Sequence, residues 1–214
     1  MFATEIKGVP LQFETDRTLF SPDAVDAGTL AMLSEVEFSP EDKLLDLGCG
    51  YGVVGILAGR LIGPERVVLC DISERAAECA RRNAERNGVP ELDIRVSDGL
   101  SRIPERGFTL ILSNPPYHTD FSVAKRFIEG GFQRLALGGR MVMVTKRLDW
   151  YKNKLTAIFG GVRVSRVDGY YVLTAEKRTQ TVRPKRKKKG DTLSRKLRRK
   201  RERSRGTDGG ARRE

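Results

Sequence analysis

Short apolar runs alternate with amphipathic segments along most of the chain. Leu44-Leu45 up to Leu47, Val67-Val68-Leu69-Cys70, Phe108 to Leu112 and Met141-Val142-Met143-Val144 are nearly unbroken. That pattern marks strands buried on both faces. Residues 53–62 are apolar nearly all round, which predicts a buried helix closed by Gly63-Pro64. Ser73 heads a second helix with Ala76, Ala77, Ala80 and Ala84 on one face, and Asn87-Gly88 ends it, glycine taking a left-handed position at little cost. Further helices are expected over 24–33, with Ser21 or Asp23 as cap, over 122–136, and over 150–159. Gly138-Gly139 reads as a break before the Met141 strand, and Ile94 and Val96 alternate in a strand that ends at Ser97-Asp98. Residues 4–15 around Gly8, and Val162–Val167 with Tyr170–Leu173 around Asp168-Gly169, read as hairpins. The alternation predicts an α/β fold, a mostly parallel sheet covered on both faces with an antiparallel C-terminal edge hairpin.

Charge divides the chain. Of its 40 Lys+Arg, 18 follow Glu176, with only 4 of its 28 Asp+Glu, so the body is about −2 and the tail about +14. We expect a globular domain over 1–176 and a polybasic tail over 177–214, too poor in large apolar residues to order itself. Arg183-Pro184-Lys185-Arg186-Lys187-Lys188-Lys189 and Arg195-Lys196-Leu197-Arg198-Arg199-Lys200-Arg201 have the make-up of an RNA-binding arm that displaces counterions from phosphates. Three cysteines without paired spacing and a single histidine argue against a metal site and for a reducing, cytoplasmic setting. No secretory leader is visible and no apolar run is long enough to span a bilayer, so no membrane partner is expected.

The candidate chemistry sits at strand ends. Asp46-Leu47-Gly48-Cys49-Gly50-Tyr51-Gly52 joins a strand to a helix, Asp71 closes the next strand, Asp98 the one after, and Asn114-Pro115-Pro116-Tyr117 follows another. In a parallel sheet all of these converge on one crevice. An amino group attached to a planar ring is a poor nucleophile because its lone pair is delocalised. The Asn114 side-chain oxygen and the Pro115 carbonyl are suited to accept its N–H groups and localise that pair, Pro115 and Pro116 stiffen the loop, and Tyr117 offers a ring face for stacking. These four residues are the expected catalytic set. A nicotinamide-binding domain fits less well, since its glycines fall as G-x-G-x-x-G and here they stand at 48, 50 and 52.

The ordered set resembles the class I S-adenosylmethionine-dependent methyltransferases, with their Rossmann-like sheet, over roughly residues 15–176. The resemblance implies S-adenosylmethionine as cofactor, with Phe20, Ser21, Asp46, Gly48, Gly50, Gly52, Asp71, Ile72, Asp98 and Asn114 as its contacts. Within that class, Ser113-Asn114-Pro115-Pro116-Tyr117-His118 and Leu19-Phe20-Ser21-Pro22 followed by Asp26, Gly28 and Thr29 are most similar to the small-subunit ribosomal RNA guanine-N2 methyltransferases. This implies methyl transfer to guanine N2 of ribosomal RNA. Two departures stand out: Tyr117 replaces a phenylalanine, and the second, N-terminal domain of larger members has no counterpart here. Tyrosine at that position leaves a protein-glutamine methyltransferase as an alternative, and an inactive RNA-binding or assembly factor as another. His118 either orients the base or caps the following helix.

Overall fold

The computed structural model describes residues 1–15, 24–115 and 121–181. Its elements follow the expected alternation: β1 (Phe2–Ile6), β2 (Val9–Phe13), α1 (Ala27–Ser34), β3 (Leu44–Leu47), α2 (Val53–Ile62), β4 (Val67–Asp71), α3 (Glu74–Arg86), β5 (Asp93–Val96), β6 (Phe108–Ser113), α4 (Ser122–Arg134), β7 (Leu135–Thr145), α5 (Leu148–Phe159), β8 (Arg163–Val167) and β9 (Tyr170–Glu176). Among the described residues, one sheet runs β5-β4-β3-β6-β7-β9-β8, and β1-β2 form a separate two-stranded one. The five strands from β5 to β7 are parallel, while β9 lies antiparallel to β7 and β8 to β9. Strand order therefore reverses between β3 and β6, where the chain goes one way to β4 and the other way to β7. That point is where ligands bind in open α/β sheets.

Period-two alternation divides the side chains between two cores. Leu44, Leu69, Leu110, Leu112, Val142 and Val144 face the core shared with α1, α2 and α3. Leu45, Leu47, Val68, Cys70, Ile111, Met141 and Met143 face the one shared with α4 and α5. Each strand is buried on both sides, which is why its sequence reads as a continuous apolar run. Tight packing also explains Gly55 in the middle of α2: a Cβ there would lie 2.3 Å from the Leu69 side chain.

Three local features differ from the sequence expectation. Helix α1 starts at Ala27 and is capped by Asp26, whose carboxylate accepts from Thr29 N–H at 2.9 Å, rather than by Ser21 or Asp23. The expected break at Gly138-Gly139 is an irregularity inside one long strand, with a register shift opposite Phe108 and Leu110. Gly138 has φ +81°, and a Cβ on Gly139 would come 2.8 Å from the Phe108 carbonyl, so glycine is needed at both. Lys177, read as the first tail residue, closes that bulge. Its backbone exchanges bonds with Gly138 and Gly139, and its buried ammonium donates to the Leu135 carbonyl at 2.7 Å.

The expected N-terminal hairpin is present, and α3 seats it. Asn87 accepts from Gln12 N–H at 3.0 Å and donates to Gln12 carbonyl at 2.8 Å. Asn83, one turn earlier on α3, does the same for Glu14 at 2.8 and 3.0 Å. Two side-chain amides at i and i+4 thus stand in for a neighbouring strand. Phe2 and Phe13 pack on Tyr51, and the Glu14 carboxylate pairs with Arg82 and Arg86.

Candidate functional site

The carboxyl ends of β3, β4, β5 and β6 open into a cavity of about 330 Å³ at the switch point. Its floor is the turn after β3. Gly48, Gly50 and Gly52 all have positive φ (+81°, +55° and +99°), which L side chains rarely adopt. Gly48 and Cys49 N–H both donate to the Cys70 carbonyl, at 2.9 and 3.0 Å, stitching the turn to the end of β4. Ser113 Oγ donates to the Leu47 carbonyl at 2.7 Å and fixes β6 against β3.

Asp71 holds the turn from the other side. One carboxylate oxygen accepts from Gly50 N–H and the other from Ser73 N–H, each at 2.9 Å. Every carboxylate oxygen has two acceptor positions, so this pinned group still has capacity for ligand hydroxyls. Ile72, beside it, is 68% exposed, while Phe127 of α4 is buried and lines the cavity next to Gly48 and Gly99. Asp98 also lines the cavity, where its carboxylate pairs with Arg126 of α4 at 2.9 Å. Ser97 sets the loop between them by donating to Gly99 carbonyl and accepting from Arg102 N–H.

Asn114 marks the far end. Its amide nitrogen donates to Asp26 Oδ2 at 2.7 Å and to Thr29 Oγ1 at 3.0 Å. The same Asp26 oxygen caps α1 through Thr29 N–H, so a helix terminus holds the amide. Both donors of the Asn114 nitrogen are committed to α1, which fixes which end of the amide is oxygen.

The residues expected from sequence fall into three groups. Gly48, Gly50, Asp71, Ile72, Asp98, Asn114 and Pro115 line the cavity. Asp46 and Gly52 do not. Asp46 is 3% exposed beneath the turn, where it accepts from Gly55 N–H at 2.9 Å and so caps α2, whose own cap residue, Gly52, has no side chain to do so. Gly52 is there for fit, since a Cβ would meet Ile56 at 2.9 Å and Ala80 at 3.2 Å. Phe20, Ser21, Pro116, Tyr117 and His118 lie outside the described residues. Asp26 and Thr29 had drawn no role from chemistry, although a short acid just before a helix start is a legible cap signal. Phe127 looks in sequence like any core position of α4.

Burial pushes the Asp46 carboxyl up to about 7; the Gly55 N–H bond opposes this and the Asp71 charge adds to it. Burial likewise pushes the Cys49 thiol up, and the Cys70 thiol to about 12, so both stay neutral. A folded-state value above the unfolded one means that Asp46 favours folding at low pH, and that this contribution fades as pH rises from about 4 to about 7. Asp46→Asn, which keeps an acceptor for Gly55, is expected to gain in melting temperature relative to the parent between pH 5 and pH 8. Parallel melting curves for the two proteins across that range would refute this.

Among the described residues no group of three or more His, Cys, Asp or Glu is placed to hold a metal ion, and no helix is long and apolar enough to cross a membrane.

The family model of the methyltransferase small domain matches residues 10–174, from β2 into β9. The chain belongs to the methyltransferase small domain family. Ribosomal RNA small subunit methyltransferase C of Serratia proteamaculans is 33% identical to it over 165 residues, covering 75% of this chain and 47% of that protein. The protein of the same name from Escherichia coli (strain K12 / DH10B) is 34% identical over 146 residues, covering 66% and 42%. Among solved structures, the 16S rRNA N2 methyltransferase of T. thermophilus (RsmC), in complex with AdoMet and guanosine, superposes with a TM-score of 0.71 at 28% identity, covering 83% of this chain and 50% of that one. This methyltransferase small domain thus has the Rossmann-like sheet of its relatives, and the chain spans about half the length of the curated relatives it matches.

Proposed function

We propose that the chain transfers a methyl group from S-adenosylmethionine to the exocyclic N2 of a guanine in small-subunit ribosomal RNA. The cavity suits that cofactor. Gly48 and Gly50 keep the floor open, Asp71 offers acceptors for two ribose hydroxyls, and Ile72 with Phe127 offers apolar faces for a purine. Bound there, S-adenosylmethionine supplies an electrophilic methyl on a sulfonium.

One observation carries the choice of acceptor: the Asn114 amide nitrogen is tied to Asp26 and Thr29. In that orientation the amide meets an incoming amine with its oxygen, as an acceptor. The Pro115 carbonyl supplies a second acceptor from a backbone that proline has stiffened. Two N–H groups held this way turn the nitrogen lone pair toward the methyl, and the spare proton leaves to solvent after transfer. No strong base is required; positioning and exclusion of water carry the rate. The relatives named for ribosomal RNA, and the neighbour solved with guanosine, support guanine over other planar amines.

The direct test incubates the full chain with methyl-labelled S-adenosylmethionine and small ribosomal subunits or their RNA, then resolves the nucleosides. Label in N2-methylguanosine is expected. Label in adenosine, or in a protein glutamine, would overturn the assignment.

The polybasic tail fits the same reading as an unspecific tether for RNA, as expected of a cytoplasmic RNA-modifying enzyme. Deleting residues 182–214 removes 16 Lys+Arg and 4 Asp+Glu, which is the chain's whole net charge of +12, and none of the cavity. Cofactor affinity should hold, RNA affinity should fall, and its log–log dependence on salt should become shallower. Filter binding over a salt series checks this, and an unchanged slope would assign the tail another partner.

A further inference from the structure

The carboxyl end of β7 carries side chains that methyl transfer does not use. The strand runs out into Lys146 and Arg147, both exposed, and α5 then begins, with Trp150 in its first turn. Phe121, the residue before α4, stacks on Trp150 with ring centroids 4.3 Å apart and planes 9° from parallel. Both rings are half-buried, backed edge-on by the buried Tyr151. The Arg147 guanidinium lies 4.6 Å from the centre of the Phe121 ring, and the Lys146 ammonium 4.7 Å from that of Tyr170.

Core packing accounts for the buried side of this cluster. It does not account for two consecutive cations, Lys146 and Arg147, standing side by side at its rim over neighbouring rings. Lys146 makes no ion pair with any described carboxylate, and Asp149 is the one acid between Lys146 and Tyr151. Register places the cluster beside the site. Strands β6 and β7 are parallel neighbours with Ser113 opposite Met143, so β7 runs on toward Lys146 and Arg147 on the side where β6 runs on to Asn114 and Pro115.

We propose that this surface seats the single-stranded RNA that flanks the methylated base. Lys146 and Arg147 meet its phosphates, and Trp150, the ring of the stacked pair that carries no cation, receives a neighbouring base. Cations that track a backbone beside aromatic faces are the ordinary means of holding single strands. Resting the two cations on rings lowers the ordering cost of binding. The inference rests on the RNA reading above and adds where on this domain the strand lies.

Trp150 is the only tryptophan of the chain, so its fluorescence reports this surface alone. The full-length protein is titrated with a short single-stranded RNA containing a central guanine, with filter retention run in parallel. Binding is expected to quench Trp150. The double variant Lys146→Ala/Arg147→Ala should bind about tenfold more weakly with a salt slope shallower by about 1.4, two contacts at roughly 0.7 each. Its melting temperature and S-adenosylmethionine affinity serve as folding controls. Trp150→Leu, which fills the space without an aromatic ring, should also weaken retention, whereas Trp150→Phe should largely keep it. Retention of RNA with silent Trp150 fluorescence, or an unchanged affinity and slope in the double variant, overturns this surface and leaves the proposed activity standing. No binding of RNA at all, with transfer to a protein instead, overturns both.

Discussion

Asn114→Ala is expected to slow single-turnover methyl transfer by about a hundredfold or more while leaving S-adenosylmethionine affinity within about twofold. The size follows from what the loss of one preorganised polar group costs in comparable sites, about 10²–10³ in rate. The separation follows from position, since Asp71, the proposed ribose acceptor, sits at the end of a different strand. Asp26→Ser should act by another route. Serine still caps α1, but its shorter side chain cannot also reach the Asn114 amide, so the fold stays and the orientation is lost. The two substitutions should be strongly non-additive: in an Asn114→Ala background, Asp26→Ser should cost almost nothing further. Asp26 is thus a positioning residue, acting through Asn114. Quenched-flow rates for both single variants and the double variant decide the matter. Simple multiplication of the two defects would show that Asp26 acts through stability alone.

Asp71→Ala should weaken S-adenosylmethionine by tenfold or more in calorimetry, with a smaller effect on the melting temperature. Charge-assisted bonds of the kind proposed to the ribose are worth about 1.5–3 kcal/mol each. The alanine also strands Gly50 and Ser73 N–H, whose acceptor is this carboxylate, so the cavity floor loosens as the ligand contact is lost. Asp71→Asn separates the two effects. A single amide oxygen cannot replace two carboxylate oxygens, which predicts an intermediate affinity. Wild-type affinity in the alanine variant would remove Asp71 from the binding site and leave it a strut for the turn.

How much of this was legible in the sequence depends on the range of the interactions concerned. Strands β3, β4, β6 and β7 announced themselves because both faces are buried, and the glycine turn because positive φ needs glycine whatever surrounds it. Asp46 and Asp71 look alike in sequence, each an acid closing an apolar strand. Only the fold separates them, turning one under α2 and the other along the cavity wall. Gly138-Gly139 reads as a stop because a break and a bulge use the same residues, and the carbonyl that forbids a side chain there belongs to Phe108 on the next strand. The link between Asp26 and Asn114 joins residues 88 apart, and no local pattern reports such a contact. Asn83 and Asn87 were hidden for a related reason. On a helix, exposed-looking asparagines at i and i+4 signal nothing until a strand arrives beside them.

That arrival has a consequence for local opening. A lone two-stranded hairpin is marginal in water, and this one shares no ladder with the main sheet. Its polar partners on α3 are the Asn83 and Asn87 amides and the Arg82 and Arg86 guanidiniums that pair with Glu14, and Leu11 and Phe13 pack into the core beside them, so it detaches as one unit while the seven strands remain paired. In hydrogen exchange, the Gln12 and Glu14 amides should therefore trade with solvent together, and well before those of β3 and β6. Phe2 and Phe13 of the hairpin pack on Tyr51, which lines the cavity and donates to the Ala24 carbonyl. Undocking would strip that packing from Tyr51, so a ligand filling the cavity should slow exchange at Gln12 and Glu14, residues that do not line it. Identical exchange at those two amides with and without S-adenosylmethionine would show that the hairpin and the cavity breathe independently.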